Sequence, residues 1–142
     1  MPTGAFVGDS WSGLLRALKE VRGAWPTRGW SWDGRLSCVS SSFATELDGK
    51  ARAAAQIALP NEWSSTTLAR APGPLRELVE RSGGLRPGQM LLAGAGGGAS
   101  FAYGLWWPWG DGMTTSLRVG LGGPDASSDA FHRLREAFGV EL

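Results

Sequence analysis

The sequence holds one cysteine, one histidine and one tyrosine, and only two of its 14 basic residues are lysines, Lys19 and Lys50. Each scarcity excludes something. Cys38 has no second cysteine with which to form an internal disulfide, and a lone thiol suits a reducing cytoplasm. Cys38 and His132 alone cannot supply a zinc set, so no metal and no cofactor is expected. Net charge is +1, from 14 basic against 13 acidic residues, and no Lys/Arg run reaches the density that a phosphate backbone requires. Nucleic acid is therefore not an expected partner. No apolar stretch follows a basic start, and no run approaches roughly 18 apolar residues, so neither a secretory leader nor a membrane partner is expected. The expected location is the cytoplasm, and the Ala/Gly/Arg bias with little lysine is the usage of a GC-rich bacterial genome.

What is abundant is glycine, 22 residues, and tryptophan, eight. At 142 residues the whole chain, 1–142, reads as one domain able to bury a core. Trp11, Leu14, Leu15, Leu18 and Val21 form a helical stripe, with Asp9 or Ser10 as N-cap and Gly23 as stop. The stretch 34–47 reads as a strand meeting Asp48-Gly49, a strong hairpin signal, so 51–59 is expected as its partner with Ala51, Ala53, Ala55, Ile57 and Leu59 on one face. A helix capped by Asp48 and ended before Pro60 competes with that reading. Residues 60–73 read as an irregular connection, "PGPLRELVERSGG" as a helix opened by Pro74 and closed by Gly83-Gly84, and "QMLLAG" as a strand. The final helix carries Phe131, Leu134 and Phe138 inward.

Between these lies the most informative stretch, "ASFAYGLWWPWGDGMTTSLRVGL". Odd positions Phe101, Tyr103, Leu105, Trp107, Met113, Leu117, Val119 and Leu121 are large, and most even positions are small or polar. Opposed residues share a face, so odd is expected to pair with odd, Trp107 with Met113, around a "PWGDG" loop. Trp107 is then core, Trp106 lies on the small-residue face near Arg118, and Trp109 sits at the tip. Two exposed indoles make a patch comparable with the largest on most monomers. The alternative is that Trp106 and Trp109 close over the loop 25–34, whose Trp25, Trp30 and Trp32 form a second cluster. If both clusters lie at one end of the sheet, they form one aromatic rim.

"FVGDSW" and "DAFH" resemble the nucleophile block and the Asp-x-x-His of GDSL (SGNH) hydrolases. That resemblance implies Ser10 as nucleophile, His132 as base and Asp129 as its orienting carboxylate. The family's Gly-x-Asn-Asp block has no counterpart, because Asn61 in "LPNE" is the only asparagine. Capping explains the same residues: Asp9 or Ser10 caps the first helix, and Ser128 or Asp129 starts the last. "GAGGGA" (94–99) begins like a dinucleotide fingerprint, yet a strand rather than a helix follows it, so it reads as a strand connector.

The expected architecture is α+β: one antiparallel sheet of about five strands with about three helices on one face, in the order α-β-β-α-β-β-β-α. In topology alone that order is similar to small adaptor and chaperone folds, such as the type III secretion chaperones, and more loosely to profilin and roadblock domains. The expected function is non-enzymatic: binding another protein, or a second copy of the chain, through Trp106, Trp109, Arg118, Trp30 and Trp32. An accessory or immunity-type subunit of a bacterial conflict or secretion system fits the same physics. The alternatives are the small serine hydrolase and a carbohydrate or small-ligand binder.

Overall fold

The structure, a computed structural model, describes residues 11–94 and 100–140. Helix α1 spans Ser12–Ala24 and buries Leu15, Leu18 and Val21, while Trp11 at its N-cap position makes no side-chain cap. The caps expected at Asp9 and Ser10 lie outside the described residues. The helix continues through Gly23 and ends at Trp25, which turns extended. Trp25 precedes Pro26, and a residue before proline is pushed out of the helical region.

Strands β1 (Trp30–Asp33) and β2 (Cys38–Ala44) form a hairpin. The first falls within 25–34, a stretch whose sequence predicts a loop. The hairpin expected at Asp48-Gly49 does not form: Asp48–Ala55 is helix α2, the competing reading. Gly49 does not adopt the positive φ that a type I′ turn requires. Alanine-rich sequence favours helix, and Ala51, Ala54 and Ala55, at helical spacing, are the buried residues. Ala53 and Ile57, which the strand reading puts on the same face as Ala51 and Ala55, are exposed. The connection after α2 contains β3 (Asn61–Ser64), then a short 3-10 turn and helix α3 (Gly73–Arg81). Gly83 and Gly84 end α3 with positive φ, and the Gly84 amide donates to the Val79 carbonyl at 2.8 Å. Strands β4 (Met90–Ala93), β5 (Phe101–Pro108) and β6 (Thr114–Gly122) and helix α4 (Ser128–Ala137) complete the fold. Ser127 caps α4, its Oγ accepting from the Ala130 amide.

The class is α+β, as expected, with the expected order extended by one helix–strand pair, α2 and β3. All neighbouring strands are antiparallel in one six-stranded sheet, β1-β2-β6-β5-β4-β3. Helices cover both faces rather than one. On the first face α1, α2 and α4 pack on Val39, Phe43, Leu92, Trp106, Leu117 and Val119. On the second, α3 brings Leu75 and Val79 onto Leu91, Ala93, Tyr103 and Leu105.

Two buried faces change the β5–β6 register. Odd pairs with even: Tyr103 with Gly120, Leu105 with Arg118, Trp106 with Leu117 and Trp107 with Ser116. Phe101, Tyr103 and Leu105 are therefore on the opposite face from Leu117 and Val119. Large residues oppose small ones because the rings need the room. A Cβ on Gly120 would collide with the Tyr103 ring, and one on Gly122 with the Phe101 ring. The loop is consequently 109–113, and Met113, expected to face inward, is 69% exposed.

Candidate functional site

The half of the second face that α3 leaves open is formed by β1, β2 and β6. Its residues by alternation are Ser31, Asp33, Ser40, Ser42, Thr114, Ser116 and Arg118, with Cys38 and Gly120 beneath. Most of these polar side chains suit a sheet surface that no described helix dries, while Ser116, beneath the Arg118 guanidinium, is itself buried.

Arg118 organises this surface. Its Nε donates to Asp33 Oδ2 at 3.2 Å, and its Cζ lies 4.5 Å from the centroid of the Trp107 ring. One guanidinium thus ties edge strand β1 to β5, with a long contact from Nη1 to Ser116 Oγ at 3.4 Å. Asp33 Oδ1 also accepts from the amides of Arg35 and Leu36, at 3.0 and 3.4 Å, so the same carboxylate closes the β1–β2 turn. Partial burial opposes ionisation of Asp33, but the Arg118 bond and the two backbone donors outweigh it and hold its carboxyl below the usual value. Cys38 below is fully buried, and burial, reinforced by the Asp33 charge, pushes its thiol up to about 12. At neutral pH it is a protonated packing residue.

Beyond Pro108 the β5–β6 turn carries Trp109 and Met113, 51% and 69% exposed. The turn is tightly bonded. Asp111 Oδ1 accepts from the Met113 and Thr114 amides at 2.8 and 2.9 Å, and its Oδ2 accepts from Thr114 Oγ1 at 2.9 Å. These bonds, the Met113 amide foremost, lower the Asp111 pKa. Gly112 supplies the positive φ, and the Trp109 amide donates to the Thr114 carbonyl at 2.7 Å. That bond closes the turn directly beyond the last β5–β6 pair, Pro108 with Thr115.

The expected site residues separate. Trp109 is exposed at the tip, as read. Trp106 is not on an open face: it is 4% exposed, its ring centroid 5.6 Å from that of Phe43 and 5.0 Å from Arg52 Cζ. The fates given to Trp106 and Trp107 are exchanged, because the register is. Arg118 lies over Trp107 instead of Trp106. Trp30 and Trp32 are half-buried against α4, on Phe138 at 4.4 Å and Phe131 at 6.4 Å. The two tryptophan clusters do meet, but in the core, where Phe43 contacts both Trp25, at 5.3 Å, and Trp106. They form no exposed rim. Asp33 and Met113 were not singled out as site residues; a carboxylate two residues before a turn amide was the available signal for Asp33.

Of the hydrolase residues, Ser10 lies outside the described residues. His132 and Asp129 are exposed on α4, and His132 Nε2 lies 3.1 Å from Glu136 Oε1, its bonding partner in place of Asp129. Among the described residues no group of three His, Cys, Asp or Glu could hold a metal ion, and no helix is long and apolar enough to cross a membrane. The chain matches no protein-family model, and neither curated proteins nor solved structures give a significant match.

Proposed function

We propose that the chain is a non-enzymatic protein-binding domain that seats a partner protein on the β5–β6 tip and the open half-face behind it. The observation that carries this reading is the exposure of Trp109 and Met113 on a turn fixed by three hydrogen bonds to Asp111. An ordered turn that holds two large apolar side chains in water gains nothing for the fold, whereas a partner finds them already positioned. Aromatic residues, methionine and arginine are the types enriched at interfaces, and tryptophan leads among residues that dominate binding energy. Ser42, Thr114 and the Arg118–Asp33 pair supply a polar surround.

The test is affinity capture from source cells followed by reconstitution with the captured protein in purified form. The double variant Trp109→Ala/Met113→Ala is expected to bind that protein at least about 30-fold more weakly, equivalent to about 2 kcal/mol. Sedimentation of the chain alone separates self-association from binding of a different protein. Equal binding by the wild type and the double variant, or no interaction that survives reconstitution, defeats the proposal.

A further inference from the structure

A second feature lies on the other side of the molecule. The last turn of α1, the loop into β1 and the end of α4 enclose a cavity of about 470 Å³. Its size falls within the range of small-molecule sites. Trp25, Trp30 and Phe138 form its aromatic wall, and Thr27, Arg22 and Arg28 its polar side. The wall is fixed from behind: the Trp30 ring centroid is 4.9 Å from that of Trp25 and 4.4 Å from that of Phe138, and Trp25 Nε1 donates to Ser41 Oγ at 3.0 Å.

We infer that this cavity binds a small organic anion, a flat ring bearing a carboxylate or a phosphate. Charge sets the sign. No lining residue is acidic, and neither Arg22 nor Arg28 forms an ion pair with another described residue. The carbonyl ends of α1 and α4 point to this region and oppose an anion, each with about half a unit of negative charge, but two full guanidinium charges exceed their sum. Arg22 is partly committed to that offset, since its guanidinium occupies the space a Cβ on Gly139 would need. Arg28 is exposed and has no such contact, which leaves its charge available. Trp30 Nε1 is itself buried and has no hydrogen-bond acceptor among the described residues, so Trp30 meets the cavity with its ring and reports a ligand stacked there through its N–H resonance. The aromatic wall then selects a flat ring as the body that carries the charge.

Calorimetric titration of the full chain at low salt tests the inference with phenyl phosphate and benzoate, which separate the two anionic groups. Inorganic phosphate and benzyl alcohol serve as the charge-only and ring-only controls. At least one aryl anion is expected to bind with a Kd of about 1 mM or tighter, and at least about fivefold better than either control. Arg28→Gln, at an exposed position, should keep the melting temperature and weaken binding about tenfold, and the wild-type affinity should fall with added salt. The Trp30 indole N–H resonance, assigned with Trp30→Phe, should shift on binding. Should Arg28→Gln fail to fold, the salt dependence and the Trp30 resonance decide. The inference is overturned if neither aryl anion binds by about 10 mM, if either control binds as well, if folded Arg28→Gln binds undiminished, or if the Trp30 resonance does not move.

Discussion

The two faces of the sheet use alternate residues of the same strands, yet they are finished differently. The first face is closed by three helices, and a continuous aromatic path runs through it from Phe138 through Trp30, Trp25 and Phe43 to Trp106 near the hairpin end. The second is closed only where α3 lies, and beyond that Arg118, Asp33, Trp107 and serines take over. Adjacent residues therefore meet opposite environments. Trp106 is core, Trp107 is a half-buried platform for a guanidinium, and Trp109 stands in solvent. Tryptophan content alone says little about function here; the face on which each ring falls decides it.

The comparison is broken most directly by truncating the two neighbours. Trp106→Ala should cost about 3–5 kcal/mol, the usual range for deleting a buried ring. Trp107→Ala should cost only about 1–2 kcal/mol, because part of that ring is already wet and what it chiefly loses is its contact with Arg118. Urea unfolding of both variants measures the difference. Equal costs would mean that the two faces are equally closed.

The register is tested by Gly120→Ala. A methyl there enters the space of the Tyr103 ring and should destabilise by about 1–3 kcal/mol. Tyr103→Leu, combined with it, should cost less than the two single changes added, since the smaller side chain yields the space. Strict additivity would show that residue 120 does not lie under Tyr103.

That register also shows what the sequence conceals. Helices α1, α3 and α4 were legible because each buries one stripe, and a single stripe leaves a clear period. Parity on β5 and β6 misled because it presumes one dry face; here both are dry near the centre, and glycines follow the rings rather than the solvent. Asp48-Gly49 is a strong local signal that lost to the burial of three alanines. Strand β1 is four residues within a Trp/Gly/Pro-rich stretch and carries too little period to be seen. The exposed tip was legible from the Pro108 and Gly110 around Trp109. The Arg118–Asp33 pair was not, because 85 residues separate its members and only the sheet order brings them together.

Acid sharpens the comparison further, since an ion pair whose carboxyl pKa is lowered lies on each face. Asp33 on the open face and Glu62 beneath α2 both have lowered pKa values, Glu62 chiefly through its 2.7 Å bond to Arg52. A carboxyl whose pKa is lower in the folded chain stabilises it above the unfolded pKa, near 4. That stability is lost as pH falls through the folded value. Stability should thus hold between pH 5 and 7 and decline below about 4, each pair contributing roughly 0.5–1 kcal/mol after solvent screening. Asp33→Asn and Glu62→Gln should each flatten part of the acid slope, and a slope unchanged in both variants would remove these pairs from the account.

The smallest effect on folding is expected where the effect on binding is largest. Trp109→Ala/Met113→Ala removes the two side chains that the fold leaves in water, so stability should change by no more than about 0.5 kcal/mol. Asp111→Ala is the complementary change, because it keeps both side chains and removes the acceptor that fixes their turn. Amide exchange at Met113 and Thr114 should accelerate in Asp111→Ala, while protection of the β5–β6 ladder persists. Its affinity for a partner should fall between wild type and the double variant, the loss arising from disorder that binding must now reverse. If the double variant melts well below the wild type, the tip is supporting the fold, and its exposed tryptophan and methionine need another explanation. If Asp111→Ala exchanges no faster, the turn is held by its glycine geometry and the Trp109–Thr114 pairing alone, and preorganisation by Asp111 drops out of the argument.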